Sequence, residues 1–256
     1  MEQNLFIKVL RALNRAKVRY LVIAGRACIF YGATEFTRDL DIWVEPETEN
    51  LAQIRQAMKQ LGAKQRFLPP LERKYLLKGH ASHYMVGDFR IDILGRPPRV
   101  GSFLKAQSSA ELTAIGGVSC RIVDLANLVK MKKTQRARDY EVIQRLVDAV
   151  FEYADTHPDE QNTLGPWLAR ELRTIDNLHR MAKKWKNGKN YLRQCERPIC
   201  KAVLNMEHFN EKNREYLLSI LEKETQELRF RDREYWMQKM REIRRIAKNK
   251  GYQTRF

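Results

Sequence analysis

Two aspartates separated by a single residue lie in the segment EFTRDLDIWVEP, which is predicted to form a strand. Because side chains alternate along a strand, Asp39 and Asp41 share one face. Leu40 and Ile42 point to the other face and into a core. Two carboxylates this close repel each other, and a divalent cation is the usual compensation. The pair is therefore predicted to hold a metal ion, although Asp-x-Asp also occurs at sheet edges and loop mouths without one.

A third carboxylate lies on a second predicted strand, DFRIDILG. Its apolar residues Phe89, Ile91 and Ile93 share one face. Arg90 and Asp92 share the other face. If the two strands are neighbours, the third aspartate joins the pair in a three-carboxylate site. Hard oxygen ligands of this kind suit Mg²⁺ better than zinc.

A predicted turn upstream of the aspartates has the features of an anion site. Gly25 and Arg26 join the apolar strand RYLVIAG to a predicted short helix, RACIFYG. Backbone N–H groups at the start of a helix attract anions. The turn precedes Asp39 by 14 residues, the length of a short helix and a turn. A phosphate site beside the paired carboxylates is therefore predicted, as metal-dependent phosphoryl or nucleotidyl transfer requires.

The stretch LVIAGRACIFYGATEFTRDLDIWVEP resembles the core motif of the DNA polymerase β-like nucleotidyltransferase superfamily, in its minimal nucleotidyltransferase or AbiEii-type branch. The pattern in that group is an apolar strand, a Gly-Gly or Gly-Ser pair, a short helix, and Asp-x-Asp on the next strand. RIDIL resembles the strand that bears the third carboxylate, Asp92. The positions that match the first motif are Gly25, Ala27, Gly32, Thr37, Arg38, Asp39, Leu40 and Asp41.

A later segment, IVDLANLVKMKKTQRARDYEVIQRL, resembles the helix that lines the nucleotide pocket in this superfamily. The corresponding residues are Lys130, Arg136, Arg138 and Asp139. We expect Asp139 either to orient Lys130 or Arg138 or to form an ion pair within its helix. The resemblance covers about residues 5–150 and implies a mixed sheet with flanking helices.

The resemblance implies an enzyme that moves a nucleoside monophosphate from a nucleoside triphosphate to an acceptor hydroxyl, with pyrophosphate as the leaving group. Asp39, Asp41 and Asp92 would be the catalytic residues and the ligands of two Mg²⁺ ions, with Asp92 helping to deprotonate the acceptor. The ATP or other triphosphate would be bound by a second set of residues. That set is Gly25, Arg26, Thr37, Arg38, Lys130 and Asp139.

Arg26 departs from the pattern, because the second residue of the Gly-Gly or Gly-Ser pair is small in this superfamily. An arginine can clamp phosphate through its planar fork. It can also block the pocket and leave a catalytically silent module that binds RNA or protein. Since all three carboxylates are present, we expect an active site.

The net charge of +17 indicates a polyanionic partner. The first 150 residues carry an excess of 10 positive charges and the remainder an excess of 7, so no single tail accounts for it. RNA, particularly a tRNA 3′ end, is the expected acceptor; a protein acceptor, as in toxin–antitoxin systems, and a generally basic soluble protein are the alternatives. Nucleotidylation of cationic antibiotics is disfavoured, since it would need an acidic pocket.

The remaining composition predicts a soluble cytoplasmic protein. No stretch approaches the roughly 20 apolar residues of a membrane span, and the N-terminus reads as an amphipathic helix and not as a signal peptide. The cysteines have no zinc-site spacing and are expected to be reduced thiols. His80 and His83 are expected in a loop, where they either contact substrate or have no role.

The order of predicted elements indicates an α+β fold followed by an all-helical C-terminal domain. The polar segment THPDEQNTLGP, with two prolines, is the expected boundary. It divides a nucleotidyltransferase domain, 1–157, from a basic helical domain, 158–256, with a long helix over 210–248. Trp185 and Tyr191, among basic residues, form either an RNA-stacking surface or part of a core.

Overall fold

The computed structural model describes residues 2–33, 37–206 and 210–249 and confirms the α+β class. Seven strands form one mixed sheet in the order β3-β4-β5-β2-β1-β7-β6. The strands are β1 (Tyr20–Val22), β2 (Asp39–Val44), β3 (Lys64–Arg66), β4 (Ala81–Val86), β5 (Phe89–Leu94), β6 (Glu111–Ile115) and β7 (Val118–Ile122).

The centre of the sheet combines parallel and antiparallel pairs. β1 runs antiparallel to β2 and parallel to β7. β2 runs parallel to β5, and β5 continues from β4 through a tight hairpin. The central strands are rich in β-branched and aromatic residues, which favour extended backbone. Their buried side chains include Leu21, Leu40, Ile42, Trp43, Ile91 and Ile93.

In the described part of the chain before residue 133, six helices accompany the sheet, in agreement with the prediction of flanking helices. They are α1 (Glu2–Arg15), α2 (Ala24–Phe30), α3 (Thr48–Gln60), α4 (Arg73–Leu77), α5 (Phe103–Ser108) and α6 (Leu125–Lys132). α1 packs on α3 and β7, and α2 packs on β2 and α6. Asp124 caps α6, since its Oδ1 accepts a hydrogen bond from the Asn127 backbone N–H at 2.9 Å.

The chain divides into two compact units. The first comprises residues 1–132 and 234–256 and contains the sheet. The second comprises residues 133–233 and is helical. Its helices are α7 (Ala137–Thr156), α8 (Gln161–Glu171), α9 (Ile175–Lys184), α10 (Gly188–Gln194), α11 (Pro198–Leu204) and the first part of α12 (Glu211–Asn249). The predicted helical C-terminal region and its long last helix are confirmed.

The segment expected to be a linker is helical instead. Pro158–Glu160 form a 3-10 turn, and α8 starts at Gln161. Pro158 lies in the first turn, where proline is tolerated because the N–H that it lacks has no partner there, whereas Pro166 lies inside α8. The whole segment lies inside the second unit, so the division into units falls elsewhere than at residue 157. Three further elements, β3, α4 and β6, lie where the sequence showed only polar or proline-containing stretches.

His80 lies in the loop between α4 and β4, as expected, but its side chain is buried. It is 2% exposed, and its Nε2 lies 2.8 Å from Glu242 Oε2, at the end of α12 that belongs to the first unit. Burial lowers the pKa of His80, and the carboxylate of Glu242 opposes that effect. Within the described residues, no helix has the length and apolarity to cross a membrane.

Candidate active site

The parallel pairing of β2 and β5 brings the three predicted carboxylates together. Asp41 is the register partner of Asp92, and Asp39 is the partner of Arg90. The alternation of both strands places these four side chains on one face, while Leu40 and the isoleucines of β5 are buried on the other. The expectation that the two strands are neighbours is thus confirmed by their geometry.

Two basic side chains compensate the outer carboxylates. Arg90 Nη2 lies 2.5 Å from Asp39 Oδ2, and Arg90 Nε lies 3.2 Å from Asp92 Oδ2. His83, on β4 opposite Asp92, places its Nδ1 2.8 Å from Asp92 Oδ1. His83 is therefore part of a strand and contacts a site carboxylate. The sequence contained a signal for this contact, because a hairpin places residues of its two strands in register.

Asp41 is the carboxyl group of the three whose charged form is least stabilised by its surroundings. Burial, followed by the negative charges of Asp92 and Asp39, raises the pKa of Asp41 from 3.8 to about 7. The positive charges of Arg90 and Lys132 oppose that rise. Because burial and like charges both favour the neutral form, the site has a deficit of positive charge at neutral pH.

The chemistry of the donor set fits a hard divalent cation. Three carboxylates converge on one sheet face, and the guanidinium of Arg90 already bridges Asp39 and Asp92 as a cation would. In residues 2–33, 37–206 and 210–249, however, no three His, Cys, Asp or Glu side chains are arranged to hold a metal ion. Arg90 and His83 occupy oxygens of Asp39 and Asp92 in this structure. A metal at this face requires Arg90 to turn away, and 44% of its side chain is exposed.

The residues predicted to form a phosphate turn are helical instead: Gly25 and Arg26 lie in the first turn of α2, which begins at Ala24 directly after β1 and Ile23. A Cβ atom added to Gly25 would lie 2.8 Å from Thr37 Cβ, so only glycine fits there. Thr37 Oγ1 in turn accepts a hydrogen bond from the Asp39 backbone N–H at 3.4 Å. Ala24, which precedes Gly25, has a φ of 54°, a conformation that costs about 1 kcal/mol or more outside glycine. The structure thus joins Gly25, Thr37 and Asp39 through direct contacts.

Arg26 lies against α1. Its guanidinium carbon is 4.7 Å from the centroid of the Phe6 ring, within the range of a cation–π contact. The side chain is half-buried, whereas the neighbouring Arg38 is exposed. Phosphate binding by Arg26 and Arg38 stays a prediction. Arg26 also has a packing role that the sequence did not indicate.

The lysine whose charge acts on the carboxylates is Lys132 and not the expected Lys130. Lys130 has an exposed side chain, and its carbonyl oxygen accepts a hydrogen bond from Arg99 Nε at 2.9 Å. Lys132, two residues later on α6, is 4% exposed, and its charge lowers the pKa of Asp41. The sequence motif indicated Lys130. It could not indicate Lys132, because the position of that side chain depends on which face of α6 is buried.

Asp139 belongs to the second unit and is fully buried. Its Oδ2 accepts hydrogen bonds from Thr134 Oγ1 and, at 2.8 Å, from Arg136 Nε. These contacts are those of an ion pair at the start of α7, one of the two roles expected from the sequence. A role for Asp139 in nucleotide binding stays a prediction.

Comparisons with known proteins give low similarities. No family model and no curated protein matches the chain, while eight chains of solved structures do. The antibiotic-resistance factor ANT(2″)-Ia is 18% identical over 60% of this chain and 72% of its own, with a TM-score of 0.37. JHP933 from Helicobacter pylori is 15% identical over 94% and 98%, with a TM-score of 0.38. A proposed nucleotidyltransferase from H. pylori is 16% identical over 89% and 94%, with a TM-score of 0.41. At these values the matches do not establish a family for the chain.

Proposed function

We propose that the protein is a metal-dependent nucleotidyltransferase that moves a nucleoside monophosphate from a nucleoside triphosphate to an acceptor hydroxyl. The observation that carries the proposal is the in-register pair of Asp41 and Asp92, with Asp39 on the same sheet face. Such a cluster of carboxylates needs positive charge, and Mg²⁺ bound to a triphosphate brings it to the place where transfer occurs.

The carboxylates of this sheet face would have two roles in the reaction, metal binding and proton transfer. Asp39, Asp41 and Asp92 would hold Mg²⁺, which when bound stabilises the negative charge that develops on the α-phosphate. The acceptor oxygen attacks the α-phosphorus, the bond to the β-phosphate oxygen breaks, and pyrophosphate leaves. The hydroxyl proton passes to Asp92, whose other oxygen is held by His83 at 2.8 Å.

The residues around the turn would position the triphosphate. Gly25 allows the backbone to lie close to Thr37, and no Cβ atom stands in that space. α2 has only seven residues, so its dipole alone is a weak attraction for phosphate. We therefore assign the phosphate charge to side chains as well: Arg26, Arg38 and Lys130, as the motif predicts, and Arg90 once it has left the carboxylates.

RNA is the acceptor that the charge of the chain favours, and a tRNA 3′ end is the form we propose. The predicted stacking surface does not support this choice. Trp185 is buried, stacks on Phe151 at 5.1 Å between centroids, and donates to Asp155 Oδ1 at 2.7 Å. Tyr191 is buried as well. Recognition of RNA would therefore rest on charge, and a protein acceptor is the alternative.

A transfer assay tests the proposal. The purified chain is incubated with each α-labelled nucleoside triphosphate, Mg²⁺ and total RNA, and label is sought on RNA and on protein after nuclease or protease treatment. We expect label on RNA with the wild type. Asp41→Asn should reduce transfer by about 100-fold or more, because it removes one of the charges that binds the ion. Asp88→Asn, an exposed aspartate in the turn between β4 and β5, is the matched control.

Three results would count against parts of the proposal. Label on protein in place of RNA would keep the transfer reaction and replace the acceptor. Equal transfer by wild type and Asp41→Asn would remove the site from the reaction. No transfer by the wild type with any triphosphate, together with unchanged RNA binding in Asp39→Ala and Asp41→Ala, would support the catalytically silent binding module.

A further inference from the structure

Two cysteines that the proposed reaction does not use lie side by side in the second unit. Cys195 follows the last residue of α10, and Cys200 lies in α11, with a short connection between them. Both are buried. All four cysteines of the chain lie in its described part, and none forms a disulfide. Cys28 and Cys120, in the first unit, therefore serve as internal references.

The two thiols converge on a single acceptor. Cys195 Sγ lies 3.5 Å and Cys200 Sγ lies 3.4 Å from the carbonyl oxygen of Ala169. Arg197 Nη1 donates to the same oxygen at 3.2 Å. A carbonyl oxygen has two lone pairs, so three donors compete for two places. One thiol can therefore lose its proton without leaving an acceptor unsatisfied.

The surroundings make the two sulfurs unequal. The interaction with the Cys200 thiol lowers the pKa of Cys195, and the backbone N–H and charge of Arg197 act in the same direction against burial. The same interaction and burial raise the pKa of Cys200. Because a thiolate is the reactive form of cysteine, Cys195 is the nucleophile of the pair and Cys200 is its partner.

Of the two cysteines, Cys195 is the one that borders a cavity, although its side chain is buried. This cavity of about 630 Å³ lies entirely within the second unit. Lys133, Arg173 and Arg197 line the same cavity, together with carboxylates that include Glu171, paired with Lys133, and Glu224, paired with Arg197. Positive side chains beside a sulfur stabilise the thiolate and attract anionic reagents.

We propose that Cys195 and Cys200 form a redox-active dithiol that a peroxide entering this cavity converts to a disulfide. The Cys195 thiolate attacks one peroxide oxygen, the O–O bond breaks, and a sulfenic acid forms at Cys195. The sulfur of Cys200 then attacks the sulfur of Cys195, the S–O bond breaks, and the hydroxide leaves with the Cys200 proton as water. The two thiols lose two electrons, and hydrogen peroxide is reduced to two water molecules. This inference does not depend on the proposed transfer reaction.

Peptide mapping of the full chain tests the proposal. The reduced protein is treated with hydrogen peroxide, denatured, alkylated with iodoacetamide and digested with trypsin. Because the Arg197 bond is followed by Pro198, both cysteines should fall in one peptide, QCERPICK. We expect this peptide to lose about 2 Da and to escape alkylation, as formation of a disulfide requires. Cys28 and Cys120 should still be alkylated at that time.

Two variants separate the roles of the sulfurs. Cys200→Ser should stop at the sulfenic acid of Cys195, which dimedone traps. Cys195→Ser should leave Cys200 unoxidised over the same time. The thermal unfolding midpoint of each variant establishes that it is folded.

A rate measurement on the wild type keeps the test independent of the variants. At pH 7, iodoacetamide should alkylate Cys195 at least about 10-fold faster than Cys120, whose pKa is raised by burial to about 11. The proposal is overturned if Cys28 or Cys120 reacts with peroxide as fast as QCERPICK. It is also overturned if Cys195 is alkylated only after unfolding.

Discussion

Asp41 and Asp92 face each other as register partners on the parallel strands β2 and β5. A parallel pair fixes this relationship through its backbone hydrogen bonds, so the two carboxylates cannot separate by changing register. Their repulsion is reduced by Arg90 from β5, by His83 from β4 and by Lys132 from α6. The site is thus a cluster of negative charge whose compensation comes from three different elements.

Asp41→Asn should change how stability depends on pH when EDTA removes divalent ions. The pKa of Asp41 is 3.8 in an ordinary setting and about 7 in the folded protein. Between these values the folded protein keeps a proton that the unfolded chain loses, so the free energy of unfolding falls as pH rises and levels off above pH 7. The variant should lack this fall and exceed the wild type at pH 8 by at most about 4 kcal/mol. Urea unfolding of both proteins at pH 4, 6 and 8 measures this difference in the free energy of unfolding.

Asp88→Asn is the control for this effect, since Asp88 is exposed. Its free energy of unfolding should follow that of the wild type at all three pH values. A difference between Asp41→Asn and wild type that is the same at pH 4 and pH 8 would contradict the raised pKa and indicate a purely steric effect.

Arg90→Gln should make the protein more responsive to Mg²⁺. Arg90 contacts both Asp39 and Asp92, so in the wild type it competes with any cation for those oxygens. Without the guanidinium, the carboxylates are less compensated, and the thermal unfolding midpoint at pH 8 in EDTA should fall by about 2–4 °C. Added Mg²⁺ should then raise the midpoint more in the variant than in the wild type. An equal Mg²⁺ effect in both proteins would show that Arg90 does not stand in the place of a cation.

The alternation of polar and apolar residues was enough to predict β2, β5 and the shared face of their aspartates. It could not predict the charge compensation, because Arg90 and His83 depend on which strands pair and in what register. The same limit applies to β3 and α4, which have three and five residues and are too short to show a periodicity. Tertiary contacts, and not local propensity, stabilise such elements.

The contact between Cys195 and Cys200 was equally hidden from the sequence. Four residues separate them, which is no metal or redox spacing, and only the carbonyl of Ala169 shows that the thiols converge. The helical character of 156–166 was also hidden from the sequence, because polar residues and two prolines favour a domain boundary, whereas the structure has Pro158 in a first turn and Pro166 inside α8.

Lys132→Met should impair the site far more than Lys130→Met. The charge of Lys132 lowers the pKa of Asp41 from a buried position on α6, whereas the Lys130 side chain is exposed. Removing the buried charge should raise the pKa of Asp41 further and move the fall in stability with pH to higher pH. We expect nucleotidyl transfer to drop by about 10-fold or more in Lys132→Met and to change little in Lys130→Met. Steady-state rates over pH 6 to 9 compare them, and the reverse order of effects would restore Lys130 to the role that the motif gives it.

Gly25→Ala should destabilise the packing of the first turn of α2 on Thr37. Its new Cβ atom would lie 2.8 Å from Thr37 Cβ and 3.0 Å from Thr37 Cγ2, closer than carbon atoms approach without displacement. Overpacking of this kind costs about 1–3 kcal/mol. It would also push Thr37 Oγ1 away from the Asp39 backbone N–H, from which it accepts a hydrogen bond. Gly101→Ala is the control, because a Cβ atom there meets nothing within 4 Å. Combining Gly25→Ala with Thr37→Gly should recover part of the lost stability, since the colliding side chain is then absent. A double variant no more stable than the sum of the two single effects would show that the contact between Gly25 and Thr37 does not account for the requirement for glycine.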